Sequence, residues 1–278
     1  MLQTSETEEF SYKRGAWNGP EHWGDINKDW ETCKIGRMQS PVAIDDKNII
    51  VAHQPEDLQW SYHPKNAVMM NHGHAIVIEW KDEVGAVWIN KTEYPLKQVH
   101  WHMPSENTIN GHRFDLEVHM LHQRTTDQKM AMISNLYKIG NPDPFFTKVE
   151  NYIGAISRKM DAKVEIGIID PKEISRVIDK YYRLKGSITI PPCTEGVTWT
   201  INRNVRTISV EQLKLLKEAT VAGYEMNARP IQPLNELGRT IADVVNASKH
   251  IADAAYQLNA RKCIAGFFKH KLQFDFSK

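Results

Sequence analysis

The sequence predicts a mainly β protein of the α+β class, largely antiparallel, with a few short helices and a helical extension at its C-terminal end. Three observations carry this expectation. Short alternating segments separated by turn residues fill the chain from about Gln39 to Arg206, helix signals are sparse, and the character changes beyond Leu234. The strand candidates are AIVIEW (75–80), AVWI (86–89), DLEVHMLH (115–122), AMISNLYKI (131–139) and GVTWTI (196–201). Many short strands at this spacing favour an antiparallel β architecture.

Two helices are expected inside the β region. One runs from Asp143 to Met160 and is entered through Pro144. The other runs from Ser209 to Ala222, where Ser209 followed by Gln212 is a capping-box signature. From Arg239 to Ala260, apolar residues at 241, 244, 245, 251, 252, 255 and 258 approach an i, i+3, i+4 pattern. The chain therefore divides into a domain over 1–236 and an extension over 237–278. The extension packs on the domain as a surface helix or serves as an oligomerisation or docking helix.

Composition excludes several classes. Of 278 residues, 41% are apolar and 25% charged, as in an ordinary globular protein. The 35 Lys+Arg balance 34 Asp+Glu, so nothing electrostatic favours nucleic acid or an anionic membrane as partner. No stretch approaches the ~18 consecutive apolar residues of a spanning helix. The polar, acidic start MLQTSETEEF reads as neither a signal nor a transit peptide, which leaves a cytosolic chain or one that begins after a processing site. Cys33, Cys193 and Cys263 form no CxxC site. One long-range bridge with a free thiol and three reduced core cysteines both stay open. Sequons occur at Asn90 and Asn246 and matter only in a secreted chain.

The densest chemistry lies in LKQVHWHMPSENTINGHRFDLEVHMLHQ (96–123), where Asn110-Gly111 is a turn dipeptide between two β-like runs. Side chains alternate along a strand, so Gln98, His100 and His102 share one face. On the return strand Glu117, His119 and Leu121 share a face and His122 takes the other. Three imidazoles thus converge on one point. Zinc in a catalytic site accepts three such ligands and leaves the fourth position to water. Gln98 and Glu117, two residues from ligands on the same face, are placed to accept the other ring N–H.

Several ordered motifs are together similar to the α-class carbonic anhydrases, nearest the plant-type secreted members. They are NGPEHWG (18–24), QSPVAI (39–44), NHGHA (71–75), QVHWHMPSEN (98–107), DLEVHMLH (115–122), GSITIPPCTEGVTW (186–199) and NARPIQPL (227–234). The resemblance runs from about Tyr12 to Leu234. It implies a large central twisted, mostly antiparallel β-sheet with short peripheral helices. It also implies a Zn2+ enzyme that reversibly hydrates carbon dioxide to bicarbonate and a proton through a zinc-bound hydroxide.

Carried over by position, the resemblance makes His100, His102 and His119 the zinc ligands and Gln98 and Glu117 their partners. Thr189 becomes the hydroxyl that orients the hydroxide, and Glu106 the carboxylate that orients Thr189. His74 becomes the proton shuttle, and His72 beside it either shares that role or faces solvent. Leu121, Met132, Ile188, Val197 and Trp199 become the apolar wall for carbon dioxide. Cys33 and Cys193 match a bridged pair, which implies an oxidising compartment of the secretory pathway and leaves Cys263 unpaired. Val77 and Ile190 depart from the family's more polar residues and make the pocket more apolar. Some relatives are storage, adhesion or assembly proteins, so a structural role with weak or vestigial activity is the rival reading.

Overall fold

The computed structural model describes residues 10–47, 49–51, 58–175, 178–234 and 242–245. Short elements open the chain: α1 (Trp23–Ile26), a 3-10 turn (Lys28–Trp30), α2 (Thr32–Ile35), β1 (Ala43–Ile44) and β2 (Ile50–Val51). Five strands follow, β3 (Leu58–Tyr62), β4 (Lys65–Asn71), β5 (Ile76–Trp80), β6 (Gly85–Ile89) and β7 (Thr92–His102). Then come β8 (Thr108–Ile109), β9 (His112–Arg113), β10 (Leu116–Gln123) and β11 (Met130–Ile139). The remainder is α3 (Pro144–Ile156), β12 (Lys163–Ile169), β13 (Lys180–Ser187), β14 (Glu195–Asn202), β15 (Arg206–Ile208), α4 (Val210–Ala219) and β16 (Ala242–Val245).

Thirteen of these strands form one twisted sheet with the order β12-β4-β5-β7-β10-β11-β14-β13-β16-β2. Strand β6 joins β3 to β7, and β15 lies on β11. Its pairings are antiparallel except where β14 and β15 meet β11 and β16 meets β2. The expected mainly β fold, with few short helices around a largely antiparallel sheet, is the one found.

Strand alternation sorts the side chains into two layers. From β7, β10 and β11, Val99, Trp101, Leu116, Val118, Met120, Ala131, Ile133 and Tyr137 enter the main core. There they meet Phe145, Phe146, Val149, Ile153 and Ile156 of α3. Burying each such side chain contributes ~1.5–3 kcal/mol. Asp143 caps α3 by accepting from Phe145 N, with Pro144 just inside the helix, where a missing N–H costs nothing. Ser209 and Gln212 make the expected capping box on α4. Because β10 is covered on both faces, its residues Leu116–His122 are all buried.

The hairpin read from Asn110-Gly111 is more elaborate than expected. Strands β7 and β10 do pair antiparallel. The Asn-Gly turn, with φ of 50° and 77°, closes a smaller hairpin of β8 and β9 inside their connection. Positive φ at both positions is the geometry that such a dipeptide favours.

Residues 242–245 require a correction. The helix expected from Arg239 is, over Ala242–Val245, a strand that pairs antiparallel with β13 and parallel with β2. The β-branched pair Val244-Val245 suits a strand, and free hydrogen-bonding edges on both neighbours override the helical spacing of apolar residues. The sheet thus extends past the expected boundary at 236/237. The rest of the expected helix, the Asn246 sequon and Cys263 lie outside the described residues. Among the described residues, no helix is long and apolar enough to cross a membrane.

Candidate metal centre

Register brings the three histidines together. His119 on β10 lies directly opposite His100 on β7, and Glu117 lies opposite His102. A register shift between Leu121 and His122 matters here: Leu121 faces Gln98 while His122 faces Leu96. The bulge lets Leu96 enter the main core while Gln98, His100 and His102 turn to the other face. Ring centroids are 5.2 Å apart for His100 and His102, 5.3 Å for His100 and His119, and 4.7 Å for His102 and His119. One nitrogen from each ring lies within 4.8 Å of the others, an arrangement fit to hold a metal ion.

Two of the tautomers follow from the hydrogen bonds. His102 Nδ1 lies 2.8 Å from the Asn227 carbonyl, which only accepts, so Nδ1 carries the proton. His119 Nε2 lies 3.0 Å from Glu117 Oε1 and carries its proton for the same reason. The lone pairs are left on His102 Nε2 and His119 Nδ1, both buried and without a hydrogen-bond partner. An unmet buried acceptor costs about 1–3 kcal/mol, so two of them facing one point fit a cation. Burial holds His100 well below the usual imidazole range and lowers His102 as well, so both are neutral at pH 7 and ready to ligate. His100 is the only one of the three with partial exposure, which puts the opening on its side.

Glu117 is the most heavily bonded carboxylate of the site. Its Oε2 accepts from the main-chain N–H of Glu106 and Asn107, each at 2.8 Å. Its Oε1 accepts from Asn107 Nδ2 at 2.7 Å, Ser134 Oγ at 2.5 Å and His119. Burial alone would raise this carboxyl, but His119, Ser134 and the Asn107 N–H bring it down to about 2. Gln98 sits on the expected face, yet among the described residues no hydrogen bond joins it to His100.

Glu106 is fully buried, and its Oε1 accepts from Arg229 N at 2.9 Å. Its Oε2 has no hydrogen-bond partner and lies 3.6 Å from His102 Nε2 and 4.0 Å from His119 Nδ1. Burial pushes the carboxyl up to about 7, against His119 and the Thr189 hydroxyl, which pull it down. Thr189, itself buried, lies close enough to Glu106 to act on its carboxyl.

The five wall residues converge. Leu121 pairs with Met132, and Met132 with Trp199, in one row across β10, β11 and β14. Ile188 and Val197 join them in a single buried cluster. The Trp199 ring meets His119 edge-on, with centroids 5.0 Å apart. Val77 lies opposite His100 on β5, and Ile190 packs on an aromatic cluster of Phe10, Tyr12, Trp23, Trp30 and Tyr224. His74 is half-buried, with the Phe10 ring 5.3 Å and the Tyr224 ring 6.4 Å away. Burial first, then His72 and His102, hold its imidazole down at about 4. His72 is exposed. Cys33 and Cys193 form a disulfide.

Sequence reasoning missed Asn227, Ser134, Asn107 and Arg229. Ser134 had a signal, being a polar residue within an apolar strand that faces His119. Asn227 opens the NARPIQPL motif, but its hold on His102 is through the main chain, which residue type does not reveal.

The fold and the site define a large-sheet protein with three histidines grouped so that they could hold a metal ion. The chain belongs to the carbonic anhydrase family: the model of eukaryotic-type carbonic anhydrase matches residues 18–243. It is 42% identical over 234 residues to alpha carbonic anhydrase 7 of Arabidopsis thaliana, covering 84% of this chain and 85% of that protein. It is 41% identical to dioscorin dioA3 of Dioscorea japonica, covering 84% of this chain and 85% of the relative. A crystal structure of dioscorin complexed with ascorbate superposes with a TM-score of 0.81 at 40% identity, over 86% of this chain and 98% of that one.

Proposed function

We propose that this chain catalyses the reversible hydration of carbon dioxide to bicarbonate and a proton, with zinc held by His100, His102 and His119. The observation that carries the proposal is the pair of buried, unmet lone pairs on His102 and His119 beside the neutral His100. Bound zinc supplies a Lewis acid that brings the pKa of water to about 7, the value known for carbonic anhydrases.

The chain's own residues do the rest. Three neutral ligands leave the ion its full charge, and Glu117 and the Asn227 carbonyl fix two of the rings. A Thr189 hydroxyl that donates to Glu106 must accept from water at the centre, which turns the water's lone pair toward the reacting carbon. Leu121, Met132, Ile188, Val197 and Trp199 form a dry wall suited to an apolar substrate. His74 takes the released proton. Burial holds its imidazole down at about 4, so it is neutral and able to accept a proton at pH 7. External buffer is expected to assist His74 in carrying the proton away.

The disulfide suits an oxidising compartment, so we place the chain in the secretory pathway, where Asn90, exposed in the β6–β7 turn, is the described glycosylation candidate. The test is zinc content together with carbon dioxide hydration, with and without a chelator. One zinc per chain and chelator-sensitive hydration are expected. Zinc-loaded protein that gives no acceleration over buffer overturns the enzyme and leaves the structural or storage reading.

A further inference from the structure

Asn227 is fully buried, and each of its polar atoms has a partner. Its main-chain carbonyl accepts from His102 Nδ1, as described above. Its main-chain N–H donates to the Met103 carbonyl at 3.1 Å, and its Oδ1 accepts from Met103 N at 2.9 Å. Its Nδ2 donates to the Trp101 carbonyl at 3.2 Å and to the His74 carbonyl at 2.9 Å. Two carbonyls at one end of the amide and an N–H at the other fix its orientation. One residue therefore holds a candidate metal ligand with its backbone and the candidate proton carrier with its side chain.

We propose that the Asn227 side-chain amide is a positioning residue that sets where His74 stands relative to the metal centre. This rests on the reading of His74 as proton carrier. The amide is chemically specific for the task, because it must donate to His74 and accept from Met103 at the same time. A carboxylate of the same shape keeps the second bond and turns the first into a repulsion between acceptors. The other restraints are internal to the turn or reach it at Gly73: His74 N donates to the His72 carbonyl at 3.0 Å, Asn71 Oδ1 accepts from Gly73 N at 2.9 Å, and Val221 N donates to the Gly73 carbonyl at 3.2 Å. Among the described residues, only Asn227 links the His74 backbone to the segment that carries His102. Distance and orientation are what a proton relay depends on most steeply.

The test compares zinc-loaded full-length protein with Asn227→Asp. Zinc per chain, the His74 imidazole proton resonance across pH, and hydration at several buffer concentrations are measured, with His74→Ala assigning the resonance. The expected result is retained zinc and an altered His74 pH profile. At low buffer, kcat falls several-fold, by more than kcat/KM, and concentrated imidazole restores it. An unchanged His74 profile, or a loss confined to zinc binding, overturns the proposal. If Asn227→Asp does not fold, Asn227→Gln, which keeps both amide functions on a longer stem, is read by the same criteria. If the parent protein hydrates no carbon dioxide, the functional reading fails, while the His74 resonance still decides the role of Asn227.

Discussion

The main-chain N–H of Arg229 donates to Glu106 Oε1 at 2.9 Å, two residues along the chain from the carbonyl that holds His102. The Arg229 side chain is buried and anchored in turn. Its guanidinium donates to Gln39 Oε1 and the Ser40 carbonyl, each at 2.8 Å, and to the Cys33 carbonyl at 3.1 Å. Gln39 Nε2 then donates to the Cys193 carbonyl at 3.1 Å. A continuous path thus runs from the disulfide to the carboxylate beside Thr189.

Replacing Arg229 by Lys breaks this path, because an ammonium cannot reproduce a planar fork on three acceptors. Two orphaned acceptors at about 1–3 kcal/mol each predict a loss of ~2–6 kcal/mol, measured by urea unfolding. Hydration should fall even where the protein stays folded and keeps its zinc.

Glu117→Gln removes the charge that fixes His119 and offers an amide in place of one acceptor. Zinc affinity should drop about 10- to 100-fold, read by competition with a chromophoric chelator. An unchanged affinity would mean that His119 keeps its tautomer without this partner.

In metal-free protein, stability should fall as the solution is acidified below about 6.5. His74 at about 4 and His122 at about 3 stay neutral in the fold, so the unfolded chain binds more protons between 6.5 and those values. Glu117, held at about 2, adds stability above its unfolded value near 4.3 that is lost as pH falls toward 2. Glu106 acts oppositely: raised to about 7, it binds its proton more tightly in the fold, so its contribution falls as pH rises from about 4.3 to 7. His122 is tied to Tyr62 Oη at 2.7 Å and to the Met120 carbonyl at 2.9 Å. His122→Gln should flatten the acid limb of Tm against pH, at a lower Tm overall.

Removing the disulfide by Cys33→Ser should cost about 2–5 kcal/mol, measured by denaturant titration without reductant. Its cysteines are 160 residues apart, and Cys193 follows Thr189 by four positions. Hydration per bound zinc should therefore fall along with stability, since the loop that carries Thr189 loses its anchor.

Period-two alternation was enough to place His100, His102, His119, Glu117 and Gln98 on one face, because only backbone parity decides that. It could not show the bulge that sends Leu96 to the core, nor that Gln98 would stand without a bond to His100. The wall of Leu121, Met132 and Trp199 depends on β11 pairing parallel with β14, a contact between strands more than fifty residues apart that local pattern does not encode. Asn227 was illegible for a different reason, since any residue has a carbonyl. At Ala242–Val245 the helical spacing was real, but hydrogen-bonding edges supplied by distant strands outweighed it.

The ligand-bearing strands β7 and β10 are central in the sheet order, each flanked by paired strands on both sides. Local opening starts at frayed margins, and amides in the middle of a sheet exchange with solvent only when nearly the whole domain opens. The amide protons of Val99, Trp101, Val118 and Met120 should thus be among the last to exchange. An ion held by the three histidines would then leave on the partly exposed side of His100 without the sheet opening, so its residence time and the lifetime of the native state would be separate clocks.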